Sequence, residues 1–250
     1  MRKPMIAGNW KMFKTVTESV NLATALIPLV CKTAHCDVVI CPTFPAIFPV
    51  AEAIKGSCVK VGGQNLHWEK EGAFTGEISG GMLKAAGCDY VIIGHSERRQ
   101  YFGETDATVN KRTFAALDAG LKPIVCIGET LQEREGGTTF KVIERQTKEG
   151  LKGLSPEQWV NIVIAYEPVW AIGTGKVASK EQAQEVHAFI RKLLSENFGA
   201  TVAQNTRILY GGSVKPENIK ELMSQPDLDG ALVGGAALKA ESFAGIIQYK

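Results

Sequence analysis

The sequence predicts an α/β protein whose eight parallel strands close into a (β/α)8 barrel, a single domain over residues 1–250. Three observations carry that expectation. Eight brief apolar runs recur along the chain, helical patterns lie between most of them, and no composition break or long Pro/Ser/Gly linker divides it. The runs are continuous rather than alternating, as strands buried on both faces of a parallel sheet require. No internal repeat supports the count independently.

The first run, MIA at 5–7, leads to Asn9, Trp10 and Lys11. The second and third, VVIC at 38–41 and VKV at 59–61, leave room for only a minimal helical crossover, and the third leads to Gln64 and Asn65. The fourth, YVII at 90–93, reaches His95 and Glu97. Thr105 then opens a helix with Val109, Thr113, Ala116 and Leu117 on one face, closed by Gly120. The fifth, IVCI at 124–127, reaches Glu129, and Ser155-Pro156-Glu157 reads as a cap with proline at the first helical position. The sixth, IVIAY at 162–166, stops at Glu167. Ser179 and Gln182 form a capping box ahead of Ala183, Val186, Ile190 and Leu193, and Gly199 stands beyond that helix. The seventh, ILY at 208–210, leads to Gly211, Gly212 and Ser213, and the eighth, ALV at 231–233, to Gly234 and Gly235.

Composition narrows the function. A net charge of +2 provides no electrostatic footprint for nucleic acid, and no apolar run is long enough to span a bilayer, so the expected partner is a small molecule. The basic opening segment is too short in apolar residues for a secretory signal, which implies a cytoplasmic home. Cysteines 31, 36, 41, 58, 88 and 126 include no C-x-x-C pair and read as reduced and buried. No two of the four histidines have metal-ligand spacing, so no metal is expected.

In a parallel barrel the strand ends named above share one face, so their polar residues converge. A lone Gly-Gly is usually a tight turn. Two pairs after adjacent strands, each expected to precede a helix N-terminus, favour a phosphate site instead. Lys11, a surface lysine on the plainer reading, stands where it would neutralise substrate charge. His95 is the only histidine directly after a buried run; unless it is simply packed, a helix capped by Ser96 would favour its neutral, hydrogen-bond-donating form. Pro168 biases Glu167 toward an extended backbone at the strand tip. Beyond it, Pro168, Val169, Trp170, Ala171, Ile172, Gly173, Thr174, Gly175 and Lys176 are mostly small or apolar and include an exposed-looking tryptophan, which suits a lid that covers the carboxylate, excludes water and raises its basicity. Base, neutral histidine, lysine and phosphate site together specify proton abstraction beside a carbonyl on a phosphorylated substrate.

The motifs AGNWKM (7–12), GGQN (62–65), GAFTGEIS (72–79), GHSERR (94–99), CIGE (126–129), YEPVWAIGTGK (166–176), YGGS (210–213) and LVGGA (232–236) span almost the whole chain, and in this order it closely resembles the triosephosphate isomerase family. The resemblance implies a TIM barrel that interconverts dihydroxyacetone phosphate and D-glyceraldehyde 3-phosphate through an enediolate, with no cofactor. It assigns Glu167 as base, His95 and Lys11 as electrophiles, Asn9 as a substrate contact and Glu97 as the neighbour that orders Lys11. Phosphate would be held by backbone groups of Gly173, Ser213, Gly234 and Gly235, and Tyr210 with Ser213 would latch the closed lid near Ala178 and Gly175. A homodimer is implied too, with the loop at 64–77 docking on a second subunit through Thr75; Trp68 and Phe74 are its apolar residues. Val177 and Gly63 depart from the usual pattern without touching the expected chemistry. Another small phosphosugar isomerase and a catalytically silent phosphate-binding barrel are the alternatives, but the latter would need damage at Lys11, His95, Glu167 or the lid, and the sequence shows none.

Overall fold

Strands β1 (Met5–Asn9), β2 (Asp37–Cys41), β3 (Val59–Gly63), β4 (Tyr90–Ile93), β5 (Lys122–Ile127), β6 (Val163–Tyr166), β7 (Arg207–Tyr210) and β8 (Gly230–Val233) pair in parallel, in chain order. The barrel closes where β8 meets β1, with Met5 opposite Gly230 and Gly8 opposite Val233. This computed structural model describes residues 2–172 and 178–250. Every apolar run predicted from the sequence coincides with a strand, save that the sixth begins at Val163 rather than Ile162.

The continuity of those runs has its cause in two cores. Met5, Ala7, Val39, Cys41, Tyr90, Ile92, Ile124, Cys126, Val163, Ala165, Leu209 and Leu232 fill the barrel interior. Their strand neighbours, such as Ile6, Ile40, Val91, Val125, Ile164 and Ile208, pack outward with the helices. Each fully buried aliphatic side chain contributes roughly 1.5–3 kcal/mol. β3 adds nothing to the interior cluster. At Gly62 a Cβ would meet Cys41 Sγ at 2.8 Å and Tyr90 Cβ at 3.3 Å, so glycine leaves its neighbours the space.

The punctuation acts as read. Thr105, Ser155 and Ser179 each accept a hydrogen bond from the third helical amide, and Ala183, Val186, Ile190 and Leu193 form the buried face of helix Lys180–Phe198. Gly120 and Gly199 take positive φ at their helix ends, where a side chain would be strained. Among the described residues no helix is long and apolar enough to cross a membrane.

One expectation is corrected here. Cys31 and Cys58 are exposed and joined by a disulfide, their Cα atoms 5.4 Å apart. Both lie outside the apolar runs, Cys31 at the end of helix Val16–Val30 and Cys58 just before β3, so burial does not claim them. The other four are free and buried, which raises the thiols of Cys36 and Cys88 to about 11 and about 12. Trp68, on the loop expected to dock, also has partners within its own chain: it stacks on His67 at 4.3 Å, and the Arg112 guanidinium lies over its ring. Phe74 remains 43% exposed.

Candidate active site

The end of β1 is shaped around Lys11, whose φ of +51° is rare for a residue with a side chain. Two hydrogen bonds hold it there. Asn9 Oδ1 accepts from the Lys11 amide at 3.0 Å, and Gln64 donates to the Lys11 carbonyl at 2.9 Å while also reaching the Cys41 carbonyl. The Lys11 ammonium then meets Glu97 Oε1 at 2.6 Å. Gln64 stood in a recognised motif, but its sequence position says nothing about which carbonyls it reaches.

His95, not Ser96, is the N-cap of the helix Ser96–Tyr101: its Nδ1 accepts from the Glu97 amide at 3.2 Å. A ring nitrogen that accepts carries no proton, so the hydrogen of the neutral ring lies on Nε2. Nε2 faces Glu167 Oε1 at 2.9 Å, and the Ser96 amide donates to Glu167 Oε2 at the same distance. Burial pulls the His95 pKa down, but the charge and hydrogen bond of Glu167, with help from Glu97, outweigh it and the net direction is upward. The carboxylates rather than the helix end therefore decide its electrostatics in this resting arrangement. By contrast His187 is an ordinary core histidine, fully buried beside Tyr166 and pushed down to about 3 by burial.

Glu167 is 2% exposed. Burial alone would raise its pKa, yet the His95 ring, the Ser96 amide and Lys11 lower it on balance. The expectation of heightened basicity is thus corrected for this state: a carboxylate holding two donors is a weaker base than one set free. Its backbone is gripped as well. The Glu167 amide donates to the Ile127 carbonyl at 2.8 Å, and the Gly211 amide to the Tyr166 carbonyl at 2.7 Å. A Cβ on Gly211 would lie 2.9 Å from Glu167 Cγ, so the base has a glycine as its wall.

The segment after Glu167 begins with a 3-10 turn, Val169–Ala171. Trp170 is not exposed as it looked: its indole donates to Glu129 Oε1 at 2.8 Å, the Tyr166 hydroxyl donates to the same oxygen, and Arg134 lies over its ring at 5.5 Å. Burial raises the Glu129 carboxyl despite these donors. Tyr210 is buried next to the Ala178 backbone, and burial lifts its hydroxyl to about 12. Gly173, Thr174, Gly175, Lys176 and Val177 lie outside the described residues.

Asn9, Lys11, His95, Glu167, Ala171, Ile172, Ser213, Gly234 and Gly235 line one cavity of about 310 Å³. The Lys11 side chain passes over Gly234, where a Cβ would meet its Cε at 3.4 Å, while Gly235 faces open space. The 3-10 helix Gly235–Leu238 starts at the second glycine pair, whereas the helix after β7 begins only at Ile219. The two helix ends expected at the glycines are therefore reduced to one. Glu97 reaches the site through Lys11, and Thr75 sits exposed on the loop after β3. A larger cleft of about 870 Å³ lies behind Glu167, lined by Ser96, Tyr101, Leu131, Gln146 and Trp170 among others; it lacks Lys11 and both glycine pairs, so the smaller cavity is the one equipped for chemistry on an anion.

The family model described as triosephosphate isomerase matches residues 4–250. The chain is 63% identical over 249 residues to a triosephosphate isomerase of Moorella thermoacetica, covering 100% of this chain and 99% of that one. It is 60% identical to one from Trichlorobacter lovleyi over 250 residues, with both chains covered in full. A crystal structure of triosephosphate isomerase from Bartonella henselae superposes with a TM-score of 0.90 at 42% identity, covering 99% of this chain and 98% of that one.

Proposed function

We propose, since the chain belongs to the triosephosphate isomerase family and interconverts dihydroxyacetone phosphate and D-glyceraldehyde 3-phosphate as an aldose-ketose isomerase of glycolysis, that Glu167 is the base of this reaction. The observation that supports this most is the Glu167 carboxylate bonded to His95 Nε2 at the edge of a cavity shared with Lys11 and two glycine pairs. Substrate phosphate binds the backbone at Ser213, Gly234 and Gly235, with Gly173 added from the lid. Its carbonyl oxygen displaces Glu167 from the Nε2–H of His95. Freed from that donor and from Ser96, the carboxylate becomes more basic and takes the proton from the carbon next to the carbonyl. The resulting enediolate is stabilised by the His95 hydrogen bond and the Lys11 charge, with Asn9 alongside. A proton also passes between the two enediolate oxygens, which lie beside His95 Nε2, while Glu167 returns its proton to the neighbouring carbon, and the two transfers together complete the exchange of aldose and ketose.

Segment 168–176 serves as the lid: it covers the intermediate, keeps out water and is latched by Tyr210. Purified protein given glyceraldehyde 3-phosphate in an assay coupled to dihydroxyacetone phosphate consumption is expected to turn over at the same rate with and without a chelator. No turnover sinks the mechanism, and loss to the chelator sinks its cofactor-free form.

Gly211→Ala tests the wall behind the base. A misplacement of about 1 Å costs about 10²-fold, so kcat should fall by about that order and by more than KM rises, because the added methyl meets Glu167 directly whereas the Ser213 backbone that holds phosphate lies two residues on. An unaltered kcat would show that Glu167 has room to spare.

The partner is a second copy of this chain. Met12, Phe13, Phe48, Phe74, Met82, Tyr101 and Phe102 are all at least half or nearly half exposed and come from the first four strand-helix units, neighbours around the barrel. An apolar face of this kind calls for a cover. Deleting residues 72–76, and with them Thr75, is expected to give a weakly active monomer by sedimentation, since docking steadies the Asn9–Lys11 turn. A fully active monomer overturns that coupling. Triose phosphates are charged and do not cross bilayers unaided, so enzyme and substrate share a compartment, which we take to be the cytoplasm.

A further inference from the structure

Gln146 is a buried side chain on the helix Thr139–Gly150, 5% exposed, which the chemistry above does not use. Its amide takes both hydrogen-bonding groups of one residue. Gly128 N–H donates to Gln146 Oε1 at 2.7 Å, and Gln146 Nε2 donates to the Gly128 carbonyl at 3.1 Å. Gly128 follows β5 and lies against the catalytic strand end with no space between: a Cβ there would overlap the Glu167 carbonyl. On either side of it, the Ile127 carbonyl accepts from the Glu167 amide and the Glu129 carbonyl from the Val169 amide, the latter at 3.1 Å. The ladder between the two segments thus steps over Gly128, whose own N–H and C=O point to the helix and find Gln146.

We propose that Gln146 is a positioning residue for the base: by clamping Gly128 it fixes the peptide on which the Glu167 carboxylate pivots. During the reaction that carboxylate must leave Ser96 and His95 and serve two adjacent carbons. Such a movement is accurate only if its backbone stays still, and close packing passes any shift of Gly128 directly to Glu167. The clamp is itself braced. Thr147 is fully buried beside it, and Asn110 donates to the Gly150 carbonyl, tying the helix end to the neighbouring helix Asp106–Asp118.

The inference rests on Glu167 being the base, and retained turnover in Glu167→Gln would remove that premise without involving Gln146. Gln146→Met keeps the length and loses both bonds. Its kcat should fall about 10- to 100-fold, while KM and the affinity for a phosphate-bearing inhibitor stay within about threefold, as for a loss felt only in the transition state. Gln146→Glu supplies the decisive signature. Protonated, its carboxyl offers one donor and one acceptor as the amide does; ionised, it accepts only. The ratio of its kcat to wild type should therefore approach one at low pH and decline through a new ionisation as pH rises. A purely structural role would lower the melting temperature of both variants and leave kcat per folded site unchanged, with no new ionisation, and that result overturns the proposal. If Gln146→Met does not fold, the pH profile of Gln146→Glu decides alone.

Discussion

Glu167→Gln should fold, bind a phosphate-bearing inhibitor nearly as well as the wild type, and lose turnover by at least the order of 10²- to 10⁴-fold that a positioned general base contributes. The amide keeps the shape of the side chain and can still accept the Ser96 N–H, but it has no lone pair basic enough to take a carbon-bound proton. Near wild-type turnover in a clean preparation would overturn the assignment. The wild-type pH profile offers a second check. A base works ionised, so activity is present above its pKa and lost as pH falls through it. In the free enzyme His95, Ser96 and Lys11 lower the Glu167 pKa despite burial, so the Glu167 acid limb of kcat/KM should lie below that of an unperturbed glutamate. Bound substrate takes His95 away, so the acid limb of kcat should lie higher than that of kcat/KM. Coincident limbs would mean that Glu167 keeps its resting partners throughout.

His95→Gln is expected to slow the chemical step by about 10²- to 10³-fold, the usual loss for a donor aimed at a developing oxyanion. Inhibitor affinity should change far less, because phosphate is held by the glycine loops and Lys11. The same variant should move the acid limb of kcat/KM upward. Removing the ring deletes the largest influence that lowers the Glu167 pKa and leaves the burial that raises it. Equal losses in turnover and inhibitor binding would contradict this division of labour, and an unmoved acid limb would show that His95 does not govern the resting base.

The strand order and the identity of the residues at the strand tips were readable because their signals are local. An apolar run, a cap such as Ser179 with Gln182, and a glycine such as Gly199 each express the backbone preference of a few neighbouring residues, and eight such units leave few ways to close. His95, Lys11 and Glu167 could be nominated for the same reason: each lies within four residues of the end of a run, and parallel closure brings such ends to one face.

Where local signals were stretched further they failed. Ser96 had the composition of an N-cap, yet His95 holds that place, because only the backbone path leaving β4 decides which side chain can reach the Glu97 amide. Cys31 and Cys58 carried no mark of their pairing, 27 residues apart and flanking separate elements.

What the sequence determined by itself was the barrel and the set of side chains delivered to its C-terminal rim. Tertiary structure alone decided what those side chains meet: Glu167 against the Ser96 amide 71 positions away, Lys11 against Glu97 at 86, and Gly128 within the grip of Gln146. The physical reason is range. Period and capping are satisfied within a turn or a strand, whereas a hydrogen bond of 2.6–3.1 Å between distant segments requires a register fixed to a fraction of an ångström, and that register exists only once the eighth strand has closed on the first.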